Sequence, residues 1–204
     1  MARMLLSREK VFDPILRSIH AWNGFAILLL ILSAQVAAWI EFTPEATFLW
    51  RFHVWAGYAL VIGLVARFSW GLNGPEHARI GAMWHWRAWW RALRSRHWFA
   101  EPEDYGHHPL ASAAYLAFYL IVLAMAATGL ALAAIDQGSG PLANWLGHDV
   151  PLKHLFKLPH DLLEEFVLGF VVLHIAALIL HEVRHGVPMA QAMVSGYQYR
   201  KEKE

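Results

Sequence analysis

Four long apolar stretches constrain the fold of this 204-residue chain more than any other feature. They cover residues 15–40, 45–70, 110–135 and 160–184, and only a few polar side chains interrupt them. A helix of about 20 apolar residues crosses the roughly 30 Å hydrocarbon layer of a membrane. The stretches therefore predict an all-α integral membrane protein, a four-helix bundle.

Composition excludes several other classes of protein. With 57% hydrophobic and 16% charged residues, the chain is too apolar for an ordinary soluble domain. It has no cysteine, which excludes disulfides, thiolate iron–sulfur ligation and covalently attached haem. A net charge of +1 gives no support for a nucleic-acid partner. Any metal or haem must be bound by the 13 histidines and a few other side chains.

The distribution of basic residues predicts the orientation of the chain. Lysine and arginine concentrate in the N-terminal segment, the second connection and the C-terminal tail, whereas the first and third connections contain only Lys153 and Lys157. Because cytoplasmic loops are enriched in these residues, we predict a multi-pass membrane protein with both termini cytoplasmic and two short periplasmic loops. No repeat or low-complexity linker divides the chain, so residues 1–204 are predicted to form a single domain.

The connection between the second and third stretches is rich in tryptophan and arginine. Residues 83–98 are predicted to form a cytoplasmic amphipathic helix in the headgroup region, beside anionic lipid. A loop that is basic only because of its topology is the alternative. Residues 136–158 are predicted to form a connecting loop with a short surface helix at residues 152–158, and Pro159 is predicted to start the fourth spanning helix.

Ionisable side chains inside a spanning helix are costly unless they face a partner. His160 and His174 are fourteen residues apart, which places them on one helix face, about 21 Å from each other along the axis. The topology places His20 beside His174 toward the cytoplasm, and His53 beside His160 toward the periplasm. The four histidines within the spans therefore form two pairs at two depths.

Two imidazoles at each level suit a six-coordinate haem b, whose iron passes electrons because both axial positions are filled. A structural zinc site needs four clustered ligands, and a proton relay would not require the pairing. His181 is a rival ligand to His174, because it lies seven residues further along on a similar face. The pattern predicts two haem b groups with bis-histidine ligation, and iron as the metal.

Glycines and arginines extend the predicted sites. Gly24 and Gly57 each lie four residues after a predicted ligand on the same helix face, where a porphyrin edge needs close approach to the backbone. Small residues also occur at ordinary contacts between membrane helices. A guanidinium near a buried haem can pair with a propionate. Three arginines are candidates for this role, namely Arg17, Arg51 and Arg67. For Arg17 and Arg67, contacts with lipid headgroups are an alternative.

Short motifs along nearly the whole chain resemble the bacterial cytochrome b561 family, which includes the cytochrome b subunits of nickel–iron hydrogenases. The motifs are FDPILRSIHAW at residues 12–22, RFHVWAGYAL at 51–60, RFSWGLNGPEHAR at 67–79, GHHPL at 106–110 and LHIAALILH at 173–181. His108 stands where the family usually has Asn in the GHNPL motif. The resemblance implies a four-helix, two-haem membrane protein that passes electrons between the quinone pool and a partner. The haem ligands that it implies are His20, His53, His160 and His174.

Two functions remain open for such a protein. The first is transmembrane electron transfer between the quinone pool and a periplasmic redox partner or species, including superoxide oxidation with quinone reduction. The second is a cytochrome b membrane-anchor subunit of a larger oxidoreductase such as a hydrogenase, with the tryptophan-rich stretch as a docking face. A haem-free transporter is disfavoured, because its polar residues should line one path. The expected partners are membrane lipid, quinone and a periplasmic redox protein or enzyme subunit, and no side chain is assigned a catalytic role because the cofactor carries the chemistry.

Overall fold

The computed structural model describes residues 6–95 and 109–201. Its elements are β1 (Leu6–Lys10), α1 (Pro14–Trp39), α2 (Pro44–Asn73), two 3-10 turns (Glu76–Ala78 and Ile80–Met83), α3 (Trp86–Ser95), α4 (Pro109–Gln137), α5 (Ala143–Leu146), α6 (Val150–His185), α7 (Ala192–Ser195) and β2 (Tyr197–Lys201). Residues 96–98 of the predicted amphipathic segment and residues 106–108 of the GHHPL motif lie outside the described residues.

Four of the described helices, α1, α2, α4 and α6, are long and apolar enough to cross a membrane. Much of their surface consists of exposed large apolar side chains, such as Leu32, Ile62, Leu120 and Leu173. An apolar surface of this extent is unusual on a soluble protein, whereas in a bilayer it contacts the acyl chains. The protein is therefore an all-α, multi-pass membrane protein.

The start of α1 is determined by a capping residue and a proline. Asp13 Oδ1 accepts hydrogen bonds from the backbone N–H groups of Ile15 at 2.9 Å and Leu16 at 3.0 Å, which satisfies two donors that have no partner within the helix. Pro14 occupies the first helical position, where its missing N–H costs nothing. Helix α2 likewise begins at a proline, Pro44.

The fourth long helix starts earlier than predicted. Helix α6 begins at Val150 and continues through Pro159 to His185 as 36 residues. Residues 152–158 are helical as predicted, but they are continuous with the spanning helix, so the start predicted at Pro159 is wrong. Pro159 removes only one hydrogen bond, the one that its N–H would have donated to the carbonyl of Leu155. Spanning helices tolerate such a loss, and an ion pair of 2.8 Å from Lys153 to Asp136 of α4 holds the extra turns.

Two short strands near the termini pair with each other, which the sequence did not predict. Strands β1 and β2 are antiparallel, with Lys10 opposite Tyr197. The backbone N–H groups of Val11 and Phe12 both donate to the carbonyl of Gly196, at 2.9 and 3.1 Å. Gly196 has a φ of +87°, a left-handed conformation that glycine adopts without strain. Because the strands pair, the two terminal segments lie on the same side of the membrane.

Contacts divide the chain into two compact units, of which the first comprises residues 1–20, 66–117 and 171–204. Trp70 near the end of α2 donates its indole N–H to Asp13 Oδ2 at 3.2 Å, and this contact fixes the start of α1 to the end of α2. The buried core of this unit consists of Val11, Phe12, Leu16, Ala78 and Ala192, with Trp70 and Met193 packed against it.

The second unit comprises residues 21–65 and 118–170. Within it, the Trp22 indole N–H on α1 donates to the carbonyl of Ala59 on α2 at 2.8 Å, and the Asn23 amide donates to the carbonyl of Gly63 at 3.3 Å. A Cβ atom at Gly63 would overlap Asn23 Oδ1 and would lie 2.6 Å from Trp22 Cδ1. The close approach of α1 and α2 therefore requires glycine at this position, as is common where membrane helices pack.

Candidate functional site

The second unit contains a cavity of about 560 Å³. Its volume lies in the range of pockets that bind cofactors and other small ligands. The predicted partners His53 and His160 both line it. All four long helices contribute to the mostly apolar lining, which includes Ile27, Leu30, Ile31, His53, Gly57, Leu60, Met125, Gly129, His160 and Val167.

The backbone of α1 fixes the tautomer of His53. The Nδ1 atom of His53 lies 3.1 Å from the carbonyl oxygen of Leu30 and 3.1 Å from Ser33 Oγ. Because a carbonyl oxygen only accepts, Nδ1 carries the hydrogen and donates it. The Ser33 hydroxyl also donates to the Leu30 carbonyl, at 3.0 Å. The remaining ring nitrogen, Nε2, has the lone pair that a metal ligand needs.

The tautomer of His160 is fixed in the same way by α4. Its Nδ1 atom lies 2.9 Å from Thr128 Oγ1. The Thr128 hydroxyl donates its one hydrogen to the backbone carbonyls of Ala124 at 2.9 Å and Met125 at 3.1 Å. It therefore accepts from His160, whose Nδ1 carries the hydrogen and whose Nε2 keeps a lone pair.

Glycines on two helices leave space beside the histidines. Gly57 lines the cavity, and a Cβ atom there would meet only Leu30 Cδ2, at 4.0 Å. Gly129 also lines the cavity, and a Cβ atom there would lie 3.1 Å from Cε1 of His160. Because Gly129 has no side chain, the His160 ring can lie this close to the backbone of α4. At Gly24, a Cβ atom would meet nothing within 4 Å.

Two ion pairs also line the cavity. The first turns of α6 place Lys153, Lys157 and His160 along one face of the helix. The Lys153 ammonium lies 2.8 Å from Asp136 Oδ1, and the Lys157 ammonium lies 2.7 Å from Asp161 Oδ2. The segment that was predicted to be a loop is therefore a wall of the cavity.

The other predicted pair, His20 and His174, lies in the first unit. The two imidazoles lie near each other. The ring of Tyr115 packs edge-on against that of His174, with 6.0 Å between centroids and 72° between planes. The structure thus brings together both of the pairs that the topology predicted, one in each unit. Their role as haem ligands stays a prediction.

The rival residue His181 lies in the last turns of α6 within the first unit. Its ring packs against that of His185, with 4.6 Å between centroids and 33° between planes. This contact places His181 with the side chains that end the helix.

The three predicted propionate partners lie in different surroundings. Arg17 donates to the backbone carbonyl of Val194, and its Nε atom is buried without a hydrogen-bond partner among the described residues. Arg67 is 5% exposed and donates to the carbonyl of Ala78 at 3.1 Å. Arg51 is exposed on α2. Arg17 and Arg67 stabilise contacts within the first unit, and the pairing of all three with propionates stays a prediction.

The residues of the cavity fit a haem b group. Its lining is mostly apolar, and it offers two imidazoles whose Nε2 atoms would serve as the ligands of a bis-histidine haem. Within residues 6–95 and 109–201, no three His, Asp or Glu side chains cluster in a way that would hold a bare metal ion. The paired histidines suit iron within a porphyrin better than a tetrahedral zinc site.

Comparison with known proteins assigns the family. The sequence profile of prokaryotic cytochrome b561 matches residues 11–196. The chain belongs to this family. It is therefore a membrane cytochrome of the b type, a haem protein of electron transport. No solved structure matches the chain.

Several curated relatives of this cytochrome b561 chain carry the same kind of name. The chain is 31% identical over 163 residues to a probable Ni/Fe-hydrogenase B-type cytochrome subunit of Azotobacter chroococcum, a match that covers 74% of the chain and 68% of the relative. It is 29% identical over 221 residues to the corresponding protein of Cupriavidus necator, covering 94% of the chain and 87% of the relative. The probable Ni/Fe-hydrogenase 1 B-type cytochrome subunit of Escherichia coli K12 is 25% identical over 212 residues, covering 90% and 88%.

Sequence reasoning missed the residues that support the histidines. Ser33 and Thr128 orient the imidazoles of His53 and His160, and Gly129 makes room for one of them. Thr128 and Ser33 are polar residues within apolar spans, and this could have marked them as candidates. Gly129 is the single glycine of the described helix α4, which was a signal for a close approach at this position.

Proposed function

We propose that this chain is the b-type cytochrome subunit that anchors a larger oxidoreductase of the hydrogenase type in the bacterial inner membrane. The names of the relatives support an enzyme subunit as the partner, and one relative is matched over 94% of this chain. The basic residues near the helix ends support cytoplasmic termini. The pairing of β1 with β2 supports a common side for both termini.

The proposal assigns one haem b to each histidine pair, His53 with His160 toward the periplasm and His20 with His174 toward the cytoplasm. When bound, the haems supply reversible one-electron chemistry. The observation that carries this assignment is the pair of hydrogen bonds that hold His53 and His160 in the Nδ1–H tautomer beside one cavity.

In this function the protein holds its cofactors and controls their surroundings. The Leu30 carbonyl and the Thr128 hydroxyl orient the ligands, and the mostly apolar lining would pack against the porphyrin. Gly24 and Gly57 leave space for porphyrin edges. The haem propionates are assigned to Arg17, Arg51 and Arg67. Electrons pass between the periplasmic enzyme subunit and quinone in the membrane.

The visible spectrum and the haem content of the purified protein test the assignment. We expect two haems for each chain and a low-spin reduced spectrum, because every iron has two imidazole ligands. Protein that folds in detergent without haem would contradict the proposal. One haem for each chain would show that only one histidine pair is a site.

A stand-alone quinone-linked oxidoreductase is the second candidate. It is favoured by the short connection between α1 and α2, residues 40–43, which offers an enzyme subunit little surface on the periplasmic side. Affinity purification from native membranes separates the two functions. Stable co-purification of an oxidoreductase subunit supports the anchor, whereas quinone reduction by the isolated chain, with a diffusible periplasmic donor such as superoxide, supports the stand-alone enzyme.

A further inference from the structure

Helix α3 carries its tryptophans and arginines as two neighbouring stripes. Successive helical residues are about 100° apart around the axis. Trp86, Trp89 and Trp90 therefore lie within an arc of about 100°. The three arginines lie within about 60°, centred about 120° from the tryptophans; they are Arg87, Arg91 and Arg94. The charged stripe flanks the aromatic stripe rather than opposing it.

Both stripes contain exposed side chains. Trp84, Trp86 and Trp90 are 63%, 56% and 53% exposed, and together with Trp89 they line a shallow open depression. The guanidinium of Arg87 stacks on the Trp86 ring at 5.5 Å, and that of Arg94 stacks on the Trp90 ring at 4.9 Å. Stacking holds a guanidinium through its face, so its N–H groups still point outward to bind an anion.

The connection that leads into α3 is fixed against the last turns of the spanning helix α2. Arg67 donates to the carbonyl of Ala78 at 3.1 Å, and Arg79 donates to the carbonyl of Gly74 at 2.9 Å. Met83, three residues before α3, is 2% exposed. These contacts hold the segment before α3 against the last turns of the spanning helix α2.

The charge of this segment is of one sign. No acidic residue occurs between Glu76 and Glu101, whereas five arginines do. Basic residues next to the cytoplasmic leaflet are attracted to its anionic lipids. Tryptophan prefers the boundary between headgroups and acyl chains. The arginine stripe therefore suits the layer of lipid phosphate groups, and the tryptophan stripe suits the boundary with the acyl chains.

We propose that α3 lies in the membrane surface and binds the headgroups of anionic phospholipids through Arg87, Arg91 and Arg94, while its tryptophans enter the boundary with the acyl chains. The binding fixes the connection between α2 and α4 to the cytoplasmic leaflet. A soluble enzyme subunit on the same face is the competing occupant. It is disfavoured because the exposed tryptophans follow directly on a segment that packs against the end of a spanning helix, where lipid is always present.

A fluorescent probe on a single cysteine tests this proposal, because the natural chain has no cysteine. The holoprotein with Trp90→Cys, labelled with an environment-sensitive dye, is reconstituted into nanodiscs of phosphatidylcholine alone or with added phosphatidylglycerol. We expect quenching by spin-labelled lipid to be at least twofold stronger when phosphatidylglycerol is present, and to weaken as salt screens the arginines. Equal quenching in both lipids would overturn the proposal.

Charge variants show which residues are responsible. Arg87→Gln with Arg94→Gln should reduce the quenching to its value in neutral lipid, whereas lysine at both positions should retain the lipid dependence and shows that α3 remains folded. Arg8→Gln with Lys10→Gln removes the same charge from exposed positions on β1 and should change nothing. If the glutamine pair behaves like the natural protein, or if the probe becomes shielded only when a soluble enzyme subunit is added, α3 is not a lipid site.

Discussion

The hydroxyl oxygen of Thr128 accepts a hydrogen bond from Nδ1 of His160 at 2.9 Å, while its own hydrogen is donated to the backbone of α4. The hydroxyl thereby couples the position of α4 to the orientation of an imidazole on α6. On the opposite wall of the cavity, the Leu30 carbonyl on α1 performs the same task for His53 on α2. Both imidazoles are therefore oriented by a helix other than their own.

Replacing Thr128 tests the importance of this orientation. Thr128→Val keeps the shape of the side chain but removes the acceptor, so the buried N–H of His160 loses its partner. Loss of a group that orients a metal ligand typically weakens metal binding about 10- to 100-fold. We expect Thr128→Val to lower the haem content, measured as the pyridine haemochrome for each chain, and to weaken haem binding by the apoprotein. Thr128→Ser keeps the hydroxyl and should behave like the natural protein; equal loss in both variants would contradict the explanation.

Gly129→Ala tests the packing around His160. The added Cβ atom would lie 3.1 Å from Cε1 of the imidazole, which is too close for an ordinary contact, so the ring must shift by a few tenths of an ångström. We expect a changed or broadened low-spin EPR signal for one haem and a lower haem content. Gly81→Ala is the matched control, because a Cβ atom there would meet nothing within 4 Å. An unchanged EPR spectrum for Gly129→Ala would mean that the ring is not closely packed.

The parts of the fold that follow from local sequence were predictable. An apolar run long enough for a membrane is a property of the run itself, and an Asp–Pro pair marks a helix start whatever surrounds it. That His53 and His160 lie beside the same cavity was also predictable. Consecutive spanning helices alternate in direction, so the position of a polar residue along its helix gives its depth in the membrane.

The parts that depend on contacts between distant residues were not predictable. Pro159 normally indicates a helix start, whereas the extension before it is accompanied by a contact with a distant residue, the ion pair of Lys153 with Asp136. Strands β1 and β2 are short, polar and at opposite ends of the chain, so neither carries a strand pattern of its own. The role of Thr128 depends on which residue of α6 it faces, which the sequence does not reveal.

His174→Ala tests the second proposed haem site. Without one axial imidazole, the haem assigned to His20 and His174 should be lost or become high-spin, whereas the haem assigned to His53 and His160 should remain. Haem content should fall from about two to about one for each chain, and EPR should show one unchanged low-spin signal. His181→Ala is the matched variant on the same helix and should retain both signals. If His181→Ala loses a haem and His174→Ala does not, the pairing of the histidines is wrong.

Gly63→Ala tests the contact between α1 and α2. The new methyl group would overlap Asn23 Oδ1 and approach Trp22, so either these side chains must move or the helices must separate locally. Such overpacking typically costs about 1–3 kcal/mol, and we expect a lower midpoint of thermal unfolding in detergent. Asn23→Ala in the same chain removes the overlapping atom at the loss of one 3.3 Å hydrogen bond. That loss should be small, because Asn23 Oδ1 is buried without a hydrogen-bond partner among the described residues and its removal relieves that cost. The double variant should therefore be more stable than Gly63→Ala alone; equal or lower stability would show that the contact with Trp22 is the stronger constraint.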